Sequence, residues 1–109
     1  MSIDPADWRS EATDDLLDTV LALPDRAAAE RFFRDLCTPA ELQALVDRWQ
    51  VVELLQQDLP YRKIHDLTGV SVTTIGRVAR FLHDGFGGYE TALARTRKLR
   101  GRRANASSQ

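Results

Sequence analysis

The feature that most constrains this chain is a glycine, Gly69, which lies between two short segments with helical apolar spacing. Ile64 and Leu67 precede the glycine, and Ile75 and Val78 follow it. Glycine readily adopts the left-handed backbone that a tight turn between two helices requires. The pattern therefore predicts two short helices that meet at a sharp angle, with these four apolar side chains facing inward.

The residues around the turn fit a helix-turn-helix over residues 61–83. The first helix is predicted over Tyr61–Leu67, and the second runs from Val72 to about His83. Val70 is expected to fill the gap between the two helices, and Ser71 is placed to cap the second one. A glycine-turned hairpin in an ordinary helical bundle would give much the same spacing, so the motif alone leaves both architectures open.

Prolines divide the rest of the chain into further helices, and we find no alternating β-branched run that would indicate a strand. Asp25 is a helix cap, and Thr38 and Glu41 form a capping box around Pro39. The residues Gly85–Gly88 form a flexible joint. The other predicted helices are Asp7–Leu23, Arg26–Leu36, a helix from Pro39 to about Gln57 or Asp58, and Tyr89–Leu99. The predicted fold class is therefore all-α, with five to six helices.

The length of 109 residues is enough for one domain, which we place at residues 1–99. Residues 100–109 are basic and then rich in Ala, Asn and Ser, which predicts a disordered tail. A chain of this size buries a marginal core by itself. Three apolar helices before the helix-turn-helix offer more surface than one copy can cover, so we expect an obligate homodimer.

Charge is segregated along the chain, although the formal net charge is only −1. Residues 1–59 carry 13 acidic and 5 basic residues, whereas residues 60–109 carry 3 acidic and 10 basic residues. This asymmetry indicates an acidic part for assembly and a basic part that meets a polyanion. A solvated basic face followed by a tail would give the same composition, and composition does not separate these two interpretations.

Several functional classes are not supported by the sequence. No Ser-His-Asp or Cys-His arrangement is present, so we predict no enzyme and no catalytic residue. His65 and His83 have no partners at ligand spacing, and Gly85–Gly88 lacks the context of a phosphate loop, so neither a metal nor a cofactor is expected. Met1–Asp7 has no signal-peptide pattern and no apolar run is long enough to span a membrane. With the single Cys37, these features predict a cytoplasmic, nucleoid-associated protein without disulfides.

The second helix of the pair would present a polar face to double-stranded DNA. Small residues there would let the helix lie deep in the major groove, and threonine and valine methyls can contact thymine. The predicted DNA-binding residues are Arg62, Lys63, Val72, Thr73, Thr74, Gly76, Arg77 and Arg80. Thr74 and Arg80 are expected near phosphates. His65 is a departure, because it stands where such motifs usually hold a small residue.

Three stretches of the chain resemble the Trp repressor superfamily, in particular its branch of Trp-repressor-like bacterial regulators. They are Phe32–Glu41, Arg48–Val52 and the segment from Leu59 to Leu82, with Gly87-Gly88-Tyr89 in addition, and the resemblance covers roughly residues 25–95. It implies an intertwined homodimer with two protruding helix-turn-helix heads. It also implies that Arg62 contacts guanine, that Val72, Thr73 and Gly76 face the bases, and that Thr74 contacts a phosphate.

The resemblance further implies an effector pocket, in which Arg48 and Arg77 match the two arginines that hold an indole. Two positions depart from the family pattern: Phe81 replaces the hydroxyl that binds the amine, and Val78 replaces a glycine beside the indole. Phenylalanine offers no hydrogen bond, and an unmet ammonium is costly to bury. We therefore interpret Arg48, Arg77, Val78 and Phe81 as a vestigial pocket, plugged by Phe81, and predict that L-tryptophan is not a corepressor.

Two functions remain open at this point. The first is a sequence-specific transcription regulator, in particular a repressor. The second is a protein-interaction module that docks on RNA polymerase or on another regulator through the same fold, with the acidic helices making the contact. Salt-sensitive affinity for a palindromic operator would distinguish the first from the second.

Overall fold

The computed structural model describes the backbone of residues 10–107 and the side chains of residues 10–99. Residues 10–107 form six α-helices and no strand, which confirms the all-α class. The helices are α1 (Glu11–Ala22), α2 (Arg26–Leu36), α3 (Pro39–Leu55), α4 (Tyr61–Thr68), α5 (Val72–Asp84) and α6 (Gly88–Ser107). Helix α1 begins later than the predicted start at Asp7, because Ser10 is extended and caps the helix, and the segment Met1–Asp7 lies outside the described residues.

The chain divides into two compact units, the first ending at Leu42 and the second beginning at Gln43. We refer to them as unit 1 and unit 2; α3 begins in unit 1 and continues into unit 2. The single domain that the sequence predicts over residues 1–99 stays a prediction.

Local side-chain caps define the helix starts of unit 1. The backbone N–H of Thr13 donates to Ser10 Oγ at 3.2 Å, and that of Ala28 donates to Asp25 Oδ1 at 2.9 Å. Such bonds satisfy N–H groups that have no partner within the helix. The bounds of α2 agree with the prediction because Asp25 marks its start and Cys37 takes an extended conformation after its last residue.

The capping box that opens α3 is present in both directions. The backbone N–H of Thr38 donates to Glu41 Oε1 at 2.8 Å, and the backbone N–H of Glu41 donates to Thr38 Oγ1 at 3.1 Å. The reciprocal pair confirms the predicted helix start. The helix ends at Leu55, slightly earlier than predicted, and a turn leads to Asp58, whose φ of 56° lies in the left-handed region.

The side chains of α1 and α2 form no buried core. Neither helix contains a buried residue, and Leu21 is 83% exposed. The rings of Phe32 and Phe33 contact each other edge to face, with centroids 5.5 Å apart. Unit 1 therefore has the apolar stripes that the sequence indicates, but in a single chain these stripes are at most partly covered.

Unit 2 contains the buried core. Val51, Val52, Ile64 and Ile75 are fully buried, and Val78, Leu82 and Val70 complete the cluster. Trp49 and Tyr89 pack against this cluster, with their ring centroids 6.4 Å apart. Helices α3, α4, α5 and α6 all contribute to it, so the core fixes the position of the α4–α5 pair.

Helix α6 departs from the prediction at its end. The sequence predicts that it stops at Leu99 and that a disordered tail follows, but the helical backbone continues to Ser107. The added segment contains no proline, and its arginines and alanines have high helix propensity, with Gly101 as the exception. The polar and basic composition after Leu99 is therefore compatible with a helical backbone. The last two residues of the predicted tail lie outside the described part of the chain.

Candidate nucleic-acid interface

The turn between α4 and α5 has the geometry of a helix-turn-helix. Gly69 has a φ of 75°, and its backbone N–H donates to the carbonyl of His65 at 2.8 Å, which ends α4 in a left-handed cap. Ser71 caps α5, because its Oγ accepts from the backbone N–H of Thr74 at 3.2 Å. Val70 is 7% exposed and lies in the core cluster, as expected for the residue between the helices.

His65 has a role in the turn that sequence reasoning missed. Its Nδ1 lies 2.7 Å from the carbonyl oxygen of Val70, so Nδ1 donates a hydrogen bond across the turn. The side chain is otherwise exposed and does not separate the two helices. The bulky residue is therefore accommodated at the edge of the turn. The spacing of five residues between His65 and Val70 is the signal that could have indicated this bond.

Helix α5 has one buried face and one exposed face. Ile75, Val78, Ala79 and Leu82 are buried on the first. Along the opposite side, Val72, Thr73, Arg77 and Arg80 are exposed, and Thr74 and Gly76 are partly buried. Because the buried face docks on the core, the orientation of the exposed face is fixed. All six residues of α5 that the sequence predicts as DNA-binding thus lie outside the buried face.

The first turn of α4 adds two cations beside this face of unit 2. Arg62 and Lys63 are both exposed. Leu67, which the sequence places between the helices, is instead 55% exposed. The residue α4 buries fully is Ile64, one turn earlier, and the neighbouring Thr68 bonds through its hydroxyl to the Ile64 carbonyl at 2.7 Å. Helix α4 therefore packs on a narrower stripe than predicted.

Hydroxyl groups at the start of α5 are arranged to face outward. The hydroxyl of Ser71 donates to Thr74 Oγ1 at 3.0 Å, so the hydrogen of the Thr74 hydroxyl is left to donate to another acceptor. Thr73 is exposed beside it. Together they provide one outward donor and one exposed threonine methyl in the same helical turn.

Gly76 leaves a gap in the exposed side of α5. A methyl group built on its Cα would meet one atom at 4.0 Å, Cε2 of Tyr61, which is an ordinary contact distance. Tyr61 itself is 43% exposed and is absent from the predicted site residues. A glycine inside a helix costs about 0.5–1 kcal/mol relative to alanine. The internal packing of the chain does not explain this cost.

A cleft of about 340 Å³ brings together all four residues of the predicted effector pocket. Arg48, Arg77, Val78 and Phe81 line it, and Tyr89 forms a further wall that sequence reasoning missed. Phe81 is 48% exposed, so in the single chain it borders the cleft and does not plug it. The plug is predicted from the missing hydrogen bond of Phe81, which does not determine where the ring lies.

The described residues show no sign of two other kinds of site. Residues 10–107 include no helix with the length and apolar character needed to cross a membrane. No group of three or more potential metal ligands occurs among the described residues.

Comparison with known proteins matches most of this chain. The family model described as Trp repressor protein matches residues 11–97. YerC, an uncharacterised protein of Bacillus subtilis strain 168, is 41% identical over 90 residues, which is 83% of this chain and 86% of YerC.

Two solved structures share the fold. A TrpR-like protein from Eubacterium eligens is 35% identical, with a TM-score of 0.77, over 81% of this chain and 91% of its own. A candidate Trp repressor from Staphylococcus aureus is 38% identical, with a TM-score of 0.81, over 88% of this chain and 96% of its own. The all-α fold of five to six helices and the resemblance predicted from sequence are thus confirmed.

Proposed function

The chain belongs to the Trp repressor family, and from this premise we propose that it is a sequence-specific DNA-binding transcription regulator that acts as a repressor. The family has a regulator fold and is not an enzyme family. The observation that carries the proposal is the two-sided helix α5, which docks one face on the core and leaves small, hydroxyl and guanidinium side chains on the other. A helix of this kind fits the width of the DNA major groove.

Each exposed side chain has a role that its chemistry supports. Arg62 reads guanine through two parallel hydrogen bonds, and the methyl groups of Val72 and Thr73 contact thymine. Thr74 and Arg80 bind phosphates, as does Lys63 on α4. Phosphate contacts supply affinity and register, whereas the base contacts supply the sequence preference.

The stability cost of Gly76 also supports the proposal of DNA binding. A helical glycine with no close internal neighbour is explained if another molecule approaches the helix there, because an alanine methyl would hold that molecule away. We expect Gly76→Ala to raise the free energy of unfolding by about 0.5–1 kcal/mol and to weaken operator binding. If the variant were more stable and bound the operator equally well, the glycine would not be the point of closest approach.

We propose that the regulator is a homodimer. The apolar stripes of α1 and α2 have no buried residue in the single chain, and a second copy would cover them. Two-fold symmetry would place two α5 helices in successive major grooves, so the operator is expected to be palindromic with half-sites about one helical turn, roughly 34–36 Å, apart. Light scattering at micromolar concentration should give the mass of two chains; a folded single chain would contradict this.

The experiment that tests the function is selection of bound duplexes from a random-sequence pool. Wild-type protein should enrich one palindrome. Arg62→Ala should lose about 1–3 kcal/mol on that palindrome and relax the preference at one base pair, and Thr73→Ala should change the preferred base with little loss of non-specific affinity. Arg31→Ala, on exposed α2, is the control and should leave the selected sequence unchanged. Recovery of no preferred sequence would favour a protein-docking module instead.

We also propose that L-tryptophan does not regulate this protein. Arg48 and Arg77 line the cleft, but Phe81 offers no hydrogen-bond partner to an ammonium group there. Titration calorimetry with millimolar L-tryptophan should show no saturable heat for the wild type. The double variant Phe81→Ser with Val78→Gly should gain affinity if these two side chains are what excludes the amino acid.

A further inference from the structure

The C-terminal part of α6 carries a dense positive charge. We refer to residues 95–103 as the basic end of α6. It contains six cations and no acidic residue, namely Arg95, Arg97, Lys98, Arg100, Arg102 and Arg103. Glu90 is the last acidic residue of the chain. Such a run is a candidate contact for a polyanion or a solvated surface, and the packing of α6 distinguishes between them.

Packing between α6 and the rest of unit 2 weakens along the helix. Tyr89 and Leu93, in its first two turns, pack against the core cluster. Thr96 is the last partly buried residue among the described side chains, and Leu99 is 54% exposed. The helix nevertheless continues to Ser107. Its second half is thus helical backbone that no described apolar side chain anchors to the core.

The described cations of the basic end have no neutralising partner. Arg95, Arg97 and Lys98 are exposed, and none of the three forms an ion pair with a described residue. Arg97 lines a small cleft with Glu90 and His83, but no carboxylate oxygen of residues 10–99 comes within ion-pair distance of its guanidinium. Unscreened like charges three and four residues apart destabilise a helix. Arg95 and Lys98 have this spacing, and it recurs at 97 and 100, 98 and 102, and 100 and 103.

The charges also lack a preferred side of the helix. At about 100° per residue, Arg95, Arg97 and Lys98 fall on different sides of α6, so these described cations form no single charged face. The family match ends at residue 97, so most of the basic end lies beyond the part of the chain that family membership explains. A partner that accepts positive charge from many directions, without a hydrophobic face, is a phosphate backbone.

We propose that the basic end of α6 is a second DNA contact, which binds backbone phosphates without reading sequence. The proposal rests on the DNA-binding function proposed above and extends the interface beyond the α4–α5 pair. Phosphates neutralise the repulsion between the cations, and the contact releases counterions from the duplex. It adds affinity that is strongly salt-dependent and equal for all sequences, while α5 supplies the preference.

The test measures the salt dependence of binding to an arbitrary-sequence duplex several helical turns long. The variant replaces Arg95, Arg97 and Lys98 by Gln in the full chain. If each wild-type cation contacts a phosphate, the slope of log affinity against log salt should become shallower by about 2.7 units per protomer. The control replaces Arg26, Arg31 and Arg34, all exposed on α2, by Gln, which removes the same charge from a different surface.

The proposal is supported if the α6 variant reduces the slope, the α2 variant does not, and neither variant unfolds below the wild-type temperature. An unchanged slope in the α6 variant overturns it, and so does an equal change in the α2 variant, which would indicate long-range charge alone. If the α6 variant weakens the dimer and leaves the salt slope of DNA binding unchanged, the proposal is also overturned, and the basic end instead contacts the acidic helices of a second copy. If the wild-type protein binds no duplex at all, the proposed DNA-binding function fails as well. This outcome distinguishes a failure of the function from a failure of the basic-end contact alone.

Discussion

Unit 1 and unit 2 are stabilised in different ways. Unit 2 has a continuous core in which Val51, Val52, Ile64 and Ile75 are fully buried. In unit 1 the hydrogen-bonded caps at Ser10, Asp25 and Thr38 are clear, but α1 and α2 bury no residue. Caps contribute far less free energy than a buried core. Unit 2 therefore contains the interactions of an independent fold, whereas unit 1 requires a further surface to cover its apolar stripes.

The largest expected effect tests this contrast directly. Ile64→Ala removes a fully buried side chain and should lower the free energy of unfolding by about 2–5 kcal/mol, because the rigid core leaves a cavity. Chemical denaturation monitored by circular dichroism provides the measurement.

Leu21→Ala is the matched change in unit 1, where the leucine is 83% exposed in the single chain. In the proposed dimer Leu21 is covered, so this variant should weaken dimerisation and lower the denaturation midpoint at a given protein concentration, and both midpoints should rise with concentration. If the midpoint is the same in the wild type and the variant and does not change with protein concentration, the apolar stripe of α1 faces solvent. The two units then differ only in how tightly their side chains pack.

The same contrast explains which parts of the structure the sequence could predict. Helix starts depend on neighbouring residues, so Asp25, Thr38 and Ser71 marked α2, α3 and α5 correctly. Burial depends on residues that are distant in sequence, and for that reason the inward position predicted for Leu67 is wrong. The end of α6 differs from the prediction because polar composition does not by itself indicate disorder, and arginine and alanine favour helices.

The candidate site was predictable to a similar extent. The spacing around Gly69 is sufficient to place the exposed face of α5, because one buried face determines the other. The contacts of His65 and Tyr61 were not predicted, since each joins two segments whose distance depends on the turn geometry. Tyr89 reaches the cleft of Arg48 and Arg77 from another helix, which no local pattern indicates.

The next effect concerns the joint between α5 and α6. A Cβ on Gly85 would clash with the backbone carbonyl oxygen of Phe81, which cannot move without disturbing the last turn of α5. Gly85→Ala should therefore destabilise the protein by about 1–3 kcal/mol. Thermal unfolding measures the loss.

Gly88→Ala is the control for this joint, because a Cβ there meets no atom within 4 Å. It should leave the unfolding temperature nearly unchanged. Equal effects of the two substitutions would mean that the joint requires glycine for flexibility and not for the close approach to Phe81.

A smaller effect is expected from the hydrogen bond across the turn between α4 and α5. His65→Ala removes the donor to the Val70 carbonyl, which has a part-buried position, and should cost about 0.5–1.5 kcal/mol. His65→Asn can restore a donor on a shorter side chain and should recover part of the loss. Amide hydrogen exchange of Val70 and Ser71 should increase in the alanine variant; unchanged exchange would show that Gly69 and the core hold the turn without the histidine.

The smallest expected effect belongs to unit 1 and varies with pH. The backbone N–H of Thr38, and then its hydroxyl, lower the pKa of Glu41 below its ordinary value. Because the pKa is lower in the folded chain, the bond contributes to stability at pH values above the unfolded-state pKa, and this contribution is lost as pH falls through the folded-state pKa. Glu41→Gln keeps an acceptor for Thr38 but removes the titration, so its stability relative to wild type should be lowest near neutral pH and should recover in acid. Thr38→Ala retains the backbone donor, which is the larger cause, and should preserve most of the pH dependence.

Denaturation midpoints of the three proteins across the acid range provide the comparison. A difference between wild type and Glu41→Gln that stays constant with pH would mean that the capping box holds the start of α3 without any contribution from the carboxylate charge.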